Sequence, residues 1–126
     1  MHPLIEKLLK KGPVVTDGSW GTQLQNRGLK RGECPDSWNL SHPELVEEVA
    51  GQYVEAGSQI ILTNTFGGNR LSLGRFNLGD KAVAINTAGV EISKKAAGNR
   101  AAVFASIGPT GKMLLTKETT EEELQN

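Results

Sequence analysis

Residues 59–66 have the sequence QIILTNTF, and this stretch decides the fold because it joins an apolar run to a polar end. The pattern predicts a β-strand over 59–63, whose apolar middle is typical of a parallel strand covered on both faces. Two other runs have the same character, residues 13–16 (PVVT) and residues 102–107 (AVFASI). Turn-forming or polar residues follow each run at once, so we expect three short strands that end in loops.

Helical patterns separate these predicted strands. Helix signals occur in four segments, residues 1–11, 41–56, 81–97 and 119–124. Residues 41–44 (SHPE) have the pattern of a capping box at the start of the second helix. Residues 20–40 show no sustained period and predict a long loop with one helical turn at 22–26. Alternating strands and helices predict an α/β fold with a parallel sheet and right-handed crossovers.

The composition excludes several classes of partner. The chain has 126 residues, 14 Lys and Arg against 14 Asp and Glu, and a pI near 6.7, so its charge favours neither nucleic acid nor an anionic membrane. No apolar run approaches the roughly 20 residues of a membrane span. Residues 1–11 lack a signal-peptide core, which predicts a cytoplasmic protein. Cys34 is the one cysteine, so no internal disulfide or multi-cysteine metal site can form from this sequence.

The end of the first predicted strand carries candidate ligand contacts. Asp17 can accept from a substrate ammonium group or hold a loop by accepting from backbone amides, and its position alone favours neither role. Gly18 and Gly21 allow the backbone to approach a ligand closely, with amides able to bind a carboxylate. Trp20 between them is of a type that more often packs in a core than lines a pocket. A phosphate loop is excluded, because no Gly-Lys-Ser/Thr follows.

The second predicted strand is followed directly by Asn64, Thr65 and Phe66. Amide and hydroxyl groups there suit an amino-acid ligand, and the aromatic ring can cover its aliphatic part. The alternative is that Asn64 and Thr65 only satisfy loop backbone groups. Because two neighbouring strand ends have the same polar character, we favour a ligand-binding site over the purely structural role. Cys34 has no histidine near it in the sequence, which is typical of a passive cysteine.

Four segments together closely resemble the homocysteine S-methyltransferase domain, the family that includes the amino-terminal module of cobalamin-dependent methionine synthase and betaine-homocysteine methyltransferase. They are residues 17–22 (DGSWGT), 34–44 (CPDSWNLSHPE), 53–66 (YVEAGSQIILTNTF) and 106–111 (SIGPTG). The likeness extends over almost the whole chain from Pro13 to Gly111. It departs at Ser19-Trp20, where many members have a second glycine followed by methionine or alanine.

This resemblance implies a (β/α)8 barrel that binds zinc through three cysteines and holds homocysteine as a zinc thiolate, which attacks an activated methyl group. Zinc suits this chemistry because it lowers the thiol pKa. The implied substrate-binding residues surround the first two strand ends, and they are Asp17, Gly18, Gly21, Thr22, Asn64, Thr65 and Phe66. The zinc cysteines of the family come from later strands, and Cys34 does not match any of them.

The resemblance also implies that residues 1–126 are the amino-terminal part, about three βα units, of one TIM barrel, since a whole barrel needs about 250 residues. The chain would then end within a βα unit, and open sheet edges favour self-association. The implied partners are homocysteine and a methyl donor. Methylcobalamin, betaine and S-methylmethionine are the open choices of donor, with cobalamin or folate bound through other modules.

Two other readings compete with this one. A non-catalytic α/β half-barrel could bind an amino acid or self-associate through the same surface. A Rossmann-like nucleotide binder is disfavoured, because no glycine-rich fingerprint follows a strand and opens a helix.

We predict that the chain by itself does not retain zinc, because a structural zinc site takes about four ligands and the sequence has one cysteine. The measurement is the zinc content per chain after dialysis against a mild chelator. One equivalent of zinc retained after that dialysis would contradict the prediction.

Overall fold

The computed structural model describes residues 1–125 and has a small parallel sheet at its centre. Strands β1 (Ile60–Leu62) and β2 (Ala102–Phe104) pair in parallel. On its other side, β1 receives a single parallel bridge, which joins Thr16 to Ile60. Strand β1 therefore lies between the Thr16 segment and β2, and the three predicted strand ends meet at one edge of the sheet.

The strand predicted over 13–16 is wrong, because this segment makes one bridge and no strand. Pro13 has no N–H to donate. The Val15 N–H donates to the side-chain Oε1 of Gln59 at 2.9 Å instead of to a backbone carbonyl. The Val15 carbonyl accepts from the Gln59 N–H at 2.7 Å, so the segment runs beside β1 without forming a ladder.

The strands predicted over 59–63 and 102–107 are confirmed, but both are shorter than predicted. The ladder stops early because side chains replace backbone partners beyond it. The Ser106 N–H donates to Thr63 Oγ1 at 3.1 Å, and the Ser106 carbonyl accepts from Thr65 Oγ1 at 2.8 Å. The polar residues after β1 thus continue the sheet by side-chain hydrogen bonds.

Seven α-helices form within residues 1–125. They are α1 (Pro3–Leu9), α2 (Trp20–Asn26), α3 (Trp38–Ser41), α4 (Pro43–Glu55), α5 (Arg70–Gly74), α6 (Ala82–Ala97) and α7 (Glu121–Gln125), with 3-10 turns at Pro35–Ser37 and Gly79–Lys81. The helices predicted in residues 1–11, 41–56, 81–97 and 119–124 are confirmed, and α2 contains the predicted turn at 22–26. Helices α3 and α5 were not predicted. None of the described helices is long and apolar enough to cross a membrane.

The capping box predicted at residues 41–44 is wrong. Ser41 is the last residue of α3, and its Oγ donates to the Ser37 carbonyl at 3.2 Å. The N-cap of α4 is His42, which makes no side-chain capping hydrogen bond. Pro43 does begin α4, a position where its missing N–H has no intrahelical partner to lose.

Ile61, at the centre of β1, is fully buried and anchors the core beneath the sheet. It packs with three small or branched residues of α4 and α6, which are Ala50, Val54 and Ala97. Ser93 of α6 is also fully buried, and its Oγ donates to the Leu62 carbonyl at 2.9 Å. Apolar packing and one buried hydrogen bond therefore fix α6 against β1.

Gly108, four residues after β2, lies directly against Phe66. A Cβ atom at residue 108 would clash with the Phe66 carbonyl oxygen and lie 2.9 Å from two carbons of its ring. The loop after β2 can therefore reach the end of β1 only if residue 108 has no side chain.

We expect Gly108→Ala to lower the free energy of unfolding by about 1–3 kcal/mol, because the added methyl group must displace backbone. The matched control is Gly51→Ala in α4, where a Cβ atom meets nothing within 4 Å. Alanine has the better helix propensity there, so the control should gain about 0.5–1 kcal/mol. Urea unfolding followed by circular dichroism measures both changes. An unchanged midpoint for Gly108→Ala would contradict the close packing of Gly108 on Phe66.

Candidate functional site

The polar strand ends meet at an open pocket of about 440 Å³ at the carboxyl edge of the sheet. Its wall is made by the turn after the Thr16 bridge, the end of β1, the loop before α3 and the loop after β2. Of the predicted site residues, Gly18, Gly21, Asn64 and Phe66 line it, whereas Asp17, Thr22 and Thr65 do not. A larger concavity of about 700 Å³ lies between α5, α6 and α7, and it contains none of the predicted site residues. The pocket at the strand ends is therefore the candidate site.

Asp17 joins three parts of the fold through one oxygen. Its Oδ2 accepts from the Leu62 N–H at 2.7 Å and from Trp20 Nε1 at 2.8 Å. The carboxylate thus ties the turn after residue 16 to β1 and orients the indole at the start of α2. In the described structure Asp17 lies behind the pocket wall and holds it in place.

The turn between Asp17 and α2 is held by its own side chains. The Ser19 Oγ accepts from the Thr22 N–H at 3.3 Å and lies 3.0 Å from Thr22 Oγ1, so it caps α2. The Tyr53 hydroxyl of α4 donates to the Ser19 carbonyl at 2.8 Å. Thr22 therefore serves the helix cap, while Gly18 and Gly21 present backbone to the pocket.

Asn64 is a buried part of the wall, and both of its amide hydrogens are used inside the protein. Its Nδ2 donates to the Pro35 carbonyl and to Asn39 Oδ1, each at 2.9 Å. Asn39 Nδ2 donates back to the Asn64 carbonyl at 2.8 Å. Asn64 consequently holds the loop before α3 at the end of β1.

Thr65 and Phe66 have opposite environments. Thr65 is buried, and its Oγ1 bonds Thr63 Oγ1 at 2.6 Å and the Ser106 carbonyl at 2.8 Å. Phe66 is 63% exposed at the pocket rim, with one side of its ring against Gly108. Phe66, which follows the buried Thr65, thus presents an exposed aromatic ring that a ligand can cover.

Asp36, in the loop before α3, is a pocket residue that the sequence reasoning did not single out. It is 5% exposed, and its Oδ1 accepts from the Gly67 N–H at 3.1 Å. Burial raises the pKa of this carboxyl, and the hydrogen bond from Gly67 acts in the opposite direction. One feature of the sequence could have pointed to Asp36. It lies in the irregular segment 20–40, and a long loop inside a compact domain is usually functional.

The described side chains do not fit a zinc site. In residues 1–125 no three His, Cys, Asp or Glu side chains are grouped so that they could hold a metal ion. Cys34 is buried, and burial raises the pKa of its thiol, which disfavours the thiolate form that binds zinc. The zinc implied by the family resemblance therefore has no ligand set in this part of the chain.

Two methionine synthases are similar to this chain in sequence. The methionine synthase of Mycobacterium leprae (strain TN) is 32% identical over 124 residues, which covers 87% of this chain and 10% of that protein. The methionine synthase of Mycobacterium tuberculosis (strain ATCC 25618 / H37Rv) is 31% identical over 120 residues, which covers 84% of this chain and 10% of that protein. The chain thus spans about a tenth of the length of these relatives.

Two solved structures share the fold, and both are of the homocysteine methyltransferase MmuM from Escherichia coli. The metallated form matches with a TM-score of 0.74 and 25% identity over 90% of this chain and 44% of that one. The oxidized form matches with a TM-score of 0.70 and 24% identity over 83% of this chain and 41% of that one. These matches and the parallel sheet confirm the predicted fold class, an α/β fold with parallel strands that belongs to the TIM-barrel family.

A family model described as homocysteine S-methyltransferase matches residues 14–126. The match includes all the residues that line the pocket. This family assignment agrees with the similarity to the two methionine synthases described above, which are 32% and 31% identical to the chain. The resemblance seen in the sequence motifs is confirmed, and the chain belongs to the homocysteine S-methyltransferase family.

Proposed function

We propose that this chain forms the homocysteine-binding wall of an enzyme that transfers a methyl group to the sulfur of homocysteine, giving methionine. The observation that carries the proposal is the pocket, in which Gly18, Gly21, Asn64 and Phe66 share one concavity. It opens at the carboxyl ends of parallel strands, where α/β proteins bind their ligands. Membership of the family supports the reaction class.

The turn after residue 17 suits the carboxylate of an amino acid. The N–H groups of Gly18 and Ser19 donate to no carbonyl in residues 1–125. Gly18 is exposed and lines the pocket, and the absence of a side chain leaves room for the Tyr53 hydroxyl, which would lie 3.1 Å from a Cβ atom. Adjacent free amides of this kind bind anionic oxygens. We therefore assign the carboxylate end of homocysteine to this turn.

Phe66 suits the methylene groups of homocysteine. Its ring is mostly exposed, so a ligand that covers it removes apolar surface from water. The remaining predicted residues would then support the pocket wall through hydrogen bonds within the protein. Asn64, which also lines the pocket, donates to the loop before α3, Thr65 donates to the chain after β2, Thr22 serves the cap of α2, and Asp17 accepts from β1. In this proposal these four residues keep the wall rigid around the amino acid.

The finer parts of the proposal concern groups that the described residues do not hold. We propose that zinc, and the cysteines that bind it, belong to a part of the enzyme other than residues 1–125, and that cobalamin or folate is bound by separate modules. The methyl donor is methylcobalamin, betaine or S-methylmethionine. A cytoplasmic location and self-association through the open edge of β2 also stay predictions.

We expect Phe66→Ala to weaken the binding of L-homocysteine about tenfold, because much of the apolar contact with the ligand is lost. The measurement is isothermal titration calorimetry of the full chain. The control is Val83→Ala, which removes a side chain of α6 that is 80% exposed and outside the pocket, and it should leave the affinity unchanged. Equal affinities for Phe66→Ala and the unchanged chain would contradict the assignment of Phe66 to the site.

We also expect the chain by itself to form no methionine from homocysteine with any of the three donors. The reason is that residues 1–125 group no side chains able to hold the metal that activates the thiol. Detection of methionine by mass spectrometry checks this, with free homocysteine and donor in buffer as the blank. Methionine formed above the blank would show that the pocket alone is sufficient for methyl transfer.

A further inference from the structure

Asp36 is a buried acid in the wall of the pocket, and its position is fixed by its neighbours. It lies in the 3-10 turn Pro35–Ser37, where the Ser37 hydroxyl donates to the Cys34 carbonyl at 2.7 Å. Asn64 Nδ2 holds the same turn by donating to the Pro35 carbonyl at 2.9 Å. The carboxyl group is therefore held rigidly at the end of β1.

Among the described residues, the carboxyl group of Asp36 is held by backbone N–H groups and faces no cation. One of these groups is the Gly67 N–H, which reaches Oδ1. The ion pairs in residues 1–125 are elsewhere, and they join Met1 to Glu6, Arg27 to Glu48, Lys95 to Glu47 and Arg100 to Glu55. A buried carboxylate without a positive partner is costly, so this position favours a ligand that brings a cation.

The second oxygen of Asp36 has room because residue 67 is glycine. Oδ2 lies 2.8 Å from the place where a Cβ atom of residue 67 would be, and no other described residue donates a hydrogen bond to it. Gly67 itself lines the pocket. An acceptor with free lone pairs thus lies beside the pocket, in space that any other residue at position 67 would occupy.

Asp17, the acid that the motif resemblance favours, is placed differently. Its Oδ2 already accepts from the Leu62 N–H and from Trp20 Nε1, and Asp17 does not line the pocket. We propose that Asp36, and not Asp17, is the counter-ion of the α-ammonium group of the amino-acid substrate. This inference rests on the proposed function, because it requires an amino acid in the pocket.

The geometry also assigns the two ends of the substrate to different loops. The carboxylate binds at the turn of Gly18 and Ser19, and the ammonium group binds at Asp36 on the loop before α3. The two loops lie on the same pocket, which would hold the α-carbon between them. Charge recognition at both ends selects α-amino acids over simple thiols or carboxylates.

The test compares L-homocysteine with 4-sulfanylbutanoate, which has the same thiol and carboxylate but no ammonium group. Isothermal titration calorimetry of the full chain measures both affinities. Asp36→Asn keeps an oxygen that can accept from Gly67 but removes the charge. We expect it to weaken L-homocysteine about tenfold or more and to leave 4-sulfanylbutanoate unchanged.

Two further variants keep the test decisive if Asp36→Asn proves unstable. Gly67→Ala keeps the charge but forces Oδ2 to move, and we expect the same selective loss of L-homocysteine binding. Asp17→Asn removes a charge from behind the wall, and we expect it to weaken both ligands to the same extent. Thermal unfolding of each variant identifies changes that come from loss of structure.

The outcomes separate this inference from the proposed function. If Asp36→Asn weakened both ligands equally, or if Asp17→Asn alone weakened L-homocysteine selectively, Asp36 would not be the counter-ion, while the pocket would still bind homocysteine. If the unchanged chain bound 4-sulfanylbutanoate as tightly as L-homocysteine, no ammonium site would exist. If it bound neither ligand, the proposed pocket itself would be wrong, and this inference with it.

Discussion

The loop before α3 reaches the end of β1 through a reciprocal pair of buried amides, Asn39 and Asn64. Each side chain donates to the other residue, at 2.8 Å to a carbonyl and at 2.9 Å to an amide oxygen, and Asn39 also donates to the Ile85 carbonyl of α6 at 3.0 Å. Loss of one member would leave buried polar groups unsatisfied, at a cost of about 1–3 kcal/mol. This pair joins the loop that carries Asp36, the end of β1 and helix α6, and so it holds the pocket wall together.

The main role of the polar residues at the strand ends is therefore to connect segments of the fold by hydrogen bonds. Asp17 Oδ2 connects the first turn to β1, and Thr63 and Thr65 connect the end of β1 to the chain after β2. These bonds continue the sheet past its three-residue strands, where backbone ladders have ended. A wall made in this way is rigid, and the groups in it that can still contact a ligand are the exposed backbone at Gly18, the ring of Phe66 and the Oδ2 oxygen of Asp36.

Much of the fold could be predicted because its signals are local. The apolar run before Thr63 and the helical spacing in residues 81–97 depend on burial alone, and both correspond to real elements. The segment 13–16 failed as a strand because the side chain of Gln59, distant in sequence, takes the Val15 N–H. The capping box failed because an unpredicted helix, α3, already ends at Ser41.

The lining of the candidate pocket was predictable only in part. Strand ends and motif resemblance identify Gly18 and Phe66, which do line the pocket. No local feature of the sequence distinguishes Asp36, which lies in an irregular segment, from Asp17. Their difference arises when Asn64 draws the loop onto β1 and buries Asp36, while Leu62 takes the oxygen of Asp17. Long-range hydrogen bonds of this kind have no signature in a single sequence.

Because Phe66 contacts Gly108, the shape of the pocket depends on a segment that is distant in sequence being folded. The ring is in contact with Gly108 only when the loop after β2 has docked, and helices α5 and α6 and strand β2 lie between that loop and Phe66 in the sequence. A ligand that covers the exposed side of the ring therefore binds the state in which β2 is paired. By mass action such a ligand would stabilise the pairing of β2 with β1, so ligand concentration and the integrity of the sheet would be thermodynamically linked.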